Sequence, residues 1–173
     1  KRVLSQSTTA AATLSAVIVG AVPVPIPDAT ILGPVEIAAI TAISKIYGID
    51  KEHGAERFKE TIAEVGTVSL AAKGVLSLTK AIPGLNLATS VANAVVAGSI
   101  VAALCGATIY ACEQVYLGNK SADDADWLKR LVESKLSGDF VAKVTDALKQ
   151  TASDGLDAKR IADLIFGLFS TGK

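Results

Sequence analysis

Two long stretches of this 173-residue chain carry no charged side chain, and they limit the folds open to it more than any other feature. They are residues 3–27 and residues 81–112. Each exceeds the roughly 20 residues that an α-helix needs to cross a bilayer. Both also contain polar uncharged side chains, and the first ends in prolines. Such helices either form the core of a soluble bundle or span a membrane with their polar side chains packed on another helix.

Prolines and glycines divide this apolar sequence into helices. The segment Pro23-Val24-Pro25-Ile26-Pro27 must be extended, because each proline fixes its own φ angle and disfavours helix at the residue before it. Asp28 follows as a helix N-cap, and Gly48 is a left-handed helix terminator after Tyr47. The predicted structural hinges are Pro23, Pro25, Pro27, Asp28, Gly48, Pro83 and Gly84.

The spacing of apolar residues is helical along the whole chain. It predicts helices over residues 7–22, 28–47, 51–65, 67–82 and 86–116, followed by three short amphipathic helices over residues 121–136, 139–150 and 154–169. The fold class is therefore all-α, a bundle of stacked antiparallel helical hairpins with Pro/Gly corners. We expect residues 1–118 to form an apolar hairpin core and residues 119–173 to cover it through their apolar faces.

The longest predicted helix carries small side chains at four-residue intervals. They are Ser90, Ala94, Gly98, Ala102 and Gly106. Ridges of this kind allow two helix backbones to approach closely, in membrane helix pairs and in tight soluble cores alike. The pattern predicts that a bulky residue at Gly98 or at Gly106 would force the helices apart.

Charge and composition argue against nucleic acid as a partner. The 17 basic and 17 acidic residues balance, so the chain has no excess of positive charge for phosphate groups. Half of the residues are hydrophobic and 20% are charged, and the excess is aliphatic. Cys105 and Cys112 are seven residues apart, roughly 10 Å on a helix, which is too far for a disulfide. We expect two buried thiols in a reducing compartment.

No motif in the sequence points to catalysis, a cofactor or a metal. His53 is the only histidine, so a His-rich metal site is ruled out. The sequence contains neither a P-loop nor a nucleophile elbow. Asp123, Asp124 and Asp126 cluster in sequence, but acidic residues at a helix start are the ordinary explanation. We therefore expect a chain that is not an enzyme.

The order of these motifs resembles the helical domain of unknown function that follows the GTP-binding domain in bacterial Era-like GTPases. The resemblance spans about residues 10–117. It rests on a Pro-x-Pro corner with Asp, an apolar helix that ends in Tyr-Gly, and a Pro-Gly start to a long Asn/Ala/Gly-rich helix. The matching positions are Pro25, Pro27, Asp28, Tyr47, Gly48, Pro83, Gly84, Asn86, Asn93 and Gly98.

The resemblance implies a non-catalytic, membrane-associated or relay module in the cytoplasm, with an upstream GTPase domain in cis. It is similar in role to the helical region of the immunity-related GTPases, which relays the nucleotide state to membranes and to other protomers. Nucleotide hydrolysis would then belong to the upstream domain. Two alternatives stay open at this point: a toxin-like or effector-like domain that inserts from solution into a membrane, and a soluble scaffold or homo-oligomerisation bundle.

Overall fold

A computed structural model of the chain describes residues 1–22, 29–71, 89–155 and 157–170. Within these ranges the chain is helical and contains no strand, so the predicted all-α bundle is confirmed. The α-helices are α1 (Arg2–Gly20), α2 (Ala29–Tyr47), α3 (Ala55–Ala71), α4 (Thr89–Tyr116), α5 (Ala125–Lys135), α6 (Gly138–Asp154) and α7 (Ala158–Ser170). A short 3-10 helix, Ile49–Lys51, lies between α2 and α3.

The first helix begins earlier than its sequence predicts. It begins at Arg2 rather than near Ser7, because the Ser/Thr run is accommodated inside the helix. The hydroxyl groups of Ser7, Thr8 and Thr9 each donate to the carbonyl four residues earlier, at distances of 3.2, 3.1 and 2.9 Å. These residues therefore satisfy their own polar groups without breaking the helix.

The third helix also runs further than predicted. A break was expected after Val65, but α3 continues through Gly66 to Ala71. A single glycine inside a helix costs only about 1 kcal/mol relative to alanine, which packing readily offsets. The rest of the predicted helix 67–82 lies outside the described residues, as do the hinge residues Pro23, Pro25, Pro27, Asp28, Pro83 and Gly84.

The end of α2 agrees with the sequence. Tyr47 is its last residue, and Gly48 follows with φ of +84°, in the left-handed region that favours glycine. Pro34 is accommodated within α2. The last residue of α4 is Tyr116, also as predicted, and Gly118 follows with φ of +74°.

Helix α4 is the axis of the bundle. It contacts each of the other described helices, and neighbouring helices around it contact one another in the order α1, α2, α3, α5, while α7 contacts both α6 and α1. The start of α1 meets the end of α4, since Arg2 pairs with Glu113, and the end of α1 meets the start of α4, since Gly20 lies against Ala94. Helix α1 is therefore antiparallel to α4 and, as predicted, to α2, whose last residue Tyr47 also reaches Glu113.

Apolar side chains fill both sides of α4. On one side Ile40 and Ile43 of α2 pack with Phe58 and Ile62 of α3. On the other side α6 and α7 contribute a second cluster, with Phe140, Val144, Leu148, Ile161 and Ile165. The predicted apolar faces of the C-terminal helices are the ones that dock: Leu128, Val132, Ile161 and Ile165 are buried, and Leu131, Leu136, Leu164 and Leu168 are partly buried.

The small-residue ridge of α4 splits into two parts. A Cβ atom added at Gly98 would lie 2.6 Å from Val17 Cγ2 and 2.9 Å from Ile165 Cδ1, so this glycine does permit a close contact. A Cβ atom at Gly106 would meet no atom of the described residues within 4 Å, so these residues do not crowd Gly106 as they crowd Gly98. Four residues turn a helix through about 400°, so each step along the ridge rotates it by about 40°. By Gly106 the ridge has rotated away from α1.

Candidate functional site

The α1–α2 hairpin places its polar side chains inside the bundle. The first two thirds of α1 bury a hydroxyl group at every fourth position, at Ser5, Thr9 and Thr13. Helix α2 contributes a buried carboxyl group, that of Glu36, with only 4% of the residue exposed. Helix α4 buries further polar side chains. The buried polar residues of these three helices are Ser5, Thr9, Thr13, Glu36, Ser44, Asn93, Ser99 and Thr108.

The outer side of the same hairpin is largely apolar, and the exposed hydroxyls of Ser7 and Ser15 on it donate to backbone carbonyls of α1. Leu4 is 62% exposed, Ile18 is 54% exposed and Ile37 is 56% exposed, and Val3 and Val22 are exposed as well. Between Arg2 and Lys45 the described parts of α1 and α2 carry one charged side chain, Glu36, and it points inward. We call this surface the apolar face, defined by Val3, Leu4, Ile18, Val22 and Ile37.

The remaining outer helices have the opposite character. Their exposed positions are rich in both signs of charge, as in an ordinary soluble protein. Examples are Glu56, Arg57 and Glu60 on α3, Lys129, Arg130 and Glu133 on α5, Asp146 and Lys149 on α6, and Lys159, Arg160 and Asp163 on α7. The molecule therefore has one uncharged side and one charged side.

A group of polar contacts joins α1, α2 and α4 at one end of the bundle. The Tyr47 hydroxyl donates to Glu113 Oε1 at 3.1 Å, and Arg2 Nε lies 3.8 Å from the same oxygen. Burial, reinforced by the hydrogen bond to Glu113, raises the pKa of Tyr47 to about 12. Glu113 thus connects all three helices.

Two cysteines continue this polar boundary toward the middle of the bundle. Both are free and buried, as the sequence predicts. Cys105 faces Thr9 of α1 and Cys112 faces Ser44 of α2. Burial raises the pKa of each thiol to about 12, so neither is a reactive nucleophile near neutral pH.

These thiols predict a loss of stability at alkaline pH. In the unfolded chain they ionise near pH 8.5, whereas in the folded chain they stay protonated until about pH 12. The unfolded state therefore releases protons first as the pH rises, and stability falls from about pH 8.5 upward. By pH 10 we expect a loss of about 2 kcal/mol per thiol in the free energy of unfolding.

Urea unfolding at pH 7, 9 and 10 measures this dependence. The variant with both Cys105→Ala and Cys112→Ala is the control, because the two proteins differ only in the thiols. The variant should lose distinctly less stability than the wild type between pH 8 and 10. Parallel curves for the two proteins would contradict the prediction.

Four buried hydroxyl groups on these helices form no hydrogen bond within the described structure. They belong to Ser5, Thr13, Ser44 and Ser99. Ser5 and Ser44 lie beside Tyr47 and Cys112, across a helix boundary, without reaching hydrogen-bond geometry. Thr9 and Thr108, by contrast, donate to the carbonyl four residues earlier. The boundary between the hairpin and α4 is thus polar and incompletely satisfied.

At the same end of the bundle an ammonium group lies beside two aromatic rings. Lys1 Nζ donates to the carbonyl oxygens of Ile46 and Tyr47 at 3.2 and 3.1 Å. It lies 4.3 Å from the ring centre of Tyr116 and 5.9 Å from that of Tyr47. The two rings are 6.3 Å apart in an edge-to-face arrangement. We call the two rings and the two carbonyl oxygens the ammonium box.

The predicted site residues fall in different places. Gly98 and its neighbours Ala94 and Ala102 are buried, while Ser90 and Gly106 are only partly buried. Among the described residues no group of three His, Cys, Asp or Glu side chains could hold a metal. Asp124 caps α5, accepting from the backbone N–H of Trp127 at 3.0 Å, as the helix-start explanation predicts.

Sequence reasoning missed Gly20, Glu36 and the ammonium box. A Cβ atom at Gly20 would lie 2.8 Å from Ala97 Cβ and 2.9 Å from Ala94 Cα. The signal for Glu36 was present, since one acidic residue lies on an otherwise apolar stretch of helix. The ammonium box had no such signal, because Lys1, Tyr47 and Tyr116 are far apart in sequence.

Two of the described helices, α1 and α4, are long and apolar enough to cross a membrane by length and composition. Most of α4 is covered by the surrounding helices, whereas more than half of α1 is not. The buried core helix of a soluble protein passes the same test of length and composition. The buried fraction of α4 fits that explanation, whereas the buried fraction of α1 does not. Comparisons with protein-family models, with curated proteins and with solved structures found no match to this chain.

Proposed function

We propose that this chain is a non-catalytic helical module that binds a lipid membrane through the apolar face of α1 and α2. The observation that carries the proposal is the inverted polarity of the hairpin, with hydroxyl groups and Glu36 inside and Ile18 and Ile37 outside. In water this arrangement is unfavourable on both counts, because it buries the unpaired hydroxyls of Ser5, Thr13 and Ser44 and exposes apolar side chains. Against lipid the outer side chains are solvated by hydrocarbon, and inward polar contacts between helices are the usual ones.

The polar boundary connects this face to the axis of the bundle. Arg2 of α1 and Tyr47 of α2 both contact Glu113 of α4. A displacement of the hairpin on a membrane would therefore change the contacts of α4. The charged helices α5 to α7 keep the opposite side in water. The module is therefore built to lie at a membrane surface with one side in contact with lipid.

The partner in cis is proposed from the sequence resemblance. In the GTPases that this chain resembles, the helical domain follows a GTP-binding domain, and nucleotide chemistry belongs to that domain. A cytoplasmic, membrane-associated location follows from the same resemblance and from the apolar face. The role of the chain is then to relay between a nucleotide-dependent neighbour and a lipid surface.

Vesicle flotation of the purified chain tests the membrane proposal. The variants Ile18→Asp and Ile37→Asp place a charge on the apolar face at exposed positions, so both should fold. Each should lower the lipid partition coefficient by about tenfold, since losing an apolar contact worth about 1 kcal/mol is compounded by a carboxylate at the hydrocarbon boundary. Val141→Asp is the matched control, an exposed valine on α6.

The outcomes separate the three functional classes. Flotation of the wild type and of Val141→Asp, with loss in Ile18→Asp and Ile37→Asp, supports the proposal. Flotation only at pH 5 would favour a domain that inserts on acidification. No flotation, together with a concentration-dependent oligomer that Ile18→Asp disrupts, would make the apolar face a homo-oligomer interface and would end the membrane proposal.

A further inference from the structure

The ammonium box is a complete binding site for a primary ammonium group. Two tyrosine rings supply cation–π attraction, and the carbonyl oxygens of Ile46 and Tyr47 supply two hydrogen-bond acceptors. Both carbonyls belong to the last turn of α2, where the helix dipole also favours a cation. In this structure the bound group is the chain's own, Lys1 Nζ.

The two carbonyl acceptors select among ammonium ligands. A primary ammonium has three N–H donors and satisfies both carbonyls while it faces Tyr116. A quaternary ammonium faces aromatic rings equally well but has no N–H to donate. The box therefore prefers a primary ammonium, such as lysine or ethanolamine, to choline.

The surroundings of the box match the rest of a phospholipid headgroup. Arg2, whose side chain is 63% exposed, is the next residue and provides a guanidinium for a phosphate group. Val3 and Leu4 follow on the apolar face, where acyl chains would lie. Tyr116 is 58% exposed, so the box is open to solvent at its rim. Aromatic and basic side chains of this kind are typical of the headgroup level of a membrane.

We propose that the ammonium box binds the ethanolamine headgroup of a phospholipid and that Lys1 occupies it as an internal substitute until the headgroup displaces it. This inference rests on the proposed membrane function, which supplies the lipid. The ammonium enters between Tyr47 and Tyr116 and donates to the carbonyls of Ile46 and Tyr47. The phosphate binds Arg2, which then turns from Glu113.

The variants Lys1→Gln and Tyr116→Leu have opposite expected effects. Lys1→Gln vacates the box, so it should bind O-phosphoethanolamine at least tenfold more tightly than the wild type, measured by ligand-observed NMR. It should bind phosphocholine at least tenfold more weakly than O-phosphoethanolamine. Adding Tyr116→Leu to Lys1→Gln should abolish binding. Lys51→Gln, which removes an exposed lysine from the adjacent 3-10 helix, should behave like the wild type.

Vesicles distinguish a lipid headgroup from a free phosphoamine. Lys1→Gln should float better with phosphatidylethanolamine in phosphatidylcholine vesicles than with phosphatidylcholine alone, and Tyr116→Leu should remove that difference. Thermal melts confirm that each variant is folded. Equal binding of the two headgroups, no binding by Lys1→Gln, or soluble binding without a vesicle preference would each overturn the proposal. Flotation of the wild type that depends on Ile18 but not on ethanolamine would leave the proposed function standing without this site.

Discussion

Gly20→Ala is expected to lower the free energy of unfolding by about 1–3 kcal/mol, the usual cost of overfilling a packed core. The added Cβ atom would lie 2.9 Å from both Ala94 Cα and the Asn93 carbonyl oxygen, and 2.8 Å from Ala97 Cβ. Two of these neighbours are backbone atoms of α4, which cannot move aside as a side chain can. The only way to make room is to separate α1 from α4, and a valine would separate them further.

Gly106→Ala is the matched comparison, with the opposite expected sign. Among the described residues no atom lies within 4 Å of its added Cβ atom, and alanine is better than glycine inside a helix by about 1 kcal/mol. Urea unfolding followed by circular dichroism measures both variants. Gly98→Ala should fall between them, because the crowding atoms there are the ends of the Val17 and Ile165 side chains. If Gly20→Ala were as stable as the wild type, α1 and α4 would not be in backbone contact.

The elements that local sequence controls were predicted well. Tyr47 and Gly48 end α2 as expected, because a left-handed glycine after an apolar helix is a local signal. The apolar faces of α5 and α7 dock where their spacing placed them, since burial of a helical stripe needs only a neighbouring core. The start of α1 was missed because Ser and Thr favour caps in general, yet their hydroxyls were satisfied by i−4 carbonyls here.

The candidate site depends on contacts that no local signal encodes. The four-residue spacing on α4 predicts small side chains on one side of the helix, but each step of four residues rotates the position by about 40°. Gly98 therefore lies against α1, whereas no atom of the described residues lies within 4 Å of a Cβ atom added at Gly106. The ammonium box forms only because α1 is antiparallel to both α2 and α4, which brings Lys1 to Tyr47 and Tyr116. The inverted polarity of the hairpin likewise requires knowing which side of α2 faces α4. One acidic residue in an apolar helix indicates that Glu36 has a particular environment, but it does not indicate whether the side chain faces α4 or the outside of the bundle.

Removing residues 119–173 is expected to have the largest effect on the molecule. The deletion takes away α5, α6 and α7, and with them the buried side chains of Phe140, Leu148, Ile161 and Ile165. Full burial of each such side chain contributes about 1.5–3 kcal/mol, so the loss from these four alone is comparable to the 5–15 kcal/mol that stabilises an ordinary domain. The remaining chain should aggregate or require detergent, and size-exclusion chromatography with light scattering measures this directly.

In detergent, the truncated chain tests the contacts among α1, α2 and α4. Helix α4 would then expose the apolar side that α6 and α7 leave. If α1, α2 and α4 keep their helical content in detergent, their mutual contacts suffice in an apolar solvent, as the inward polar boundary implies. A truncated chain that stays monomeric and soluble without detergent would show that the C-terminal helices do not shield the core. A deletion of residues 1–22 is the comparison, because it leaves α6 and α7 packed on α4. It should expose far less of the second apolar cluster, the one that contains Phe140 and Ile165.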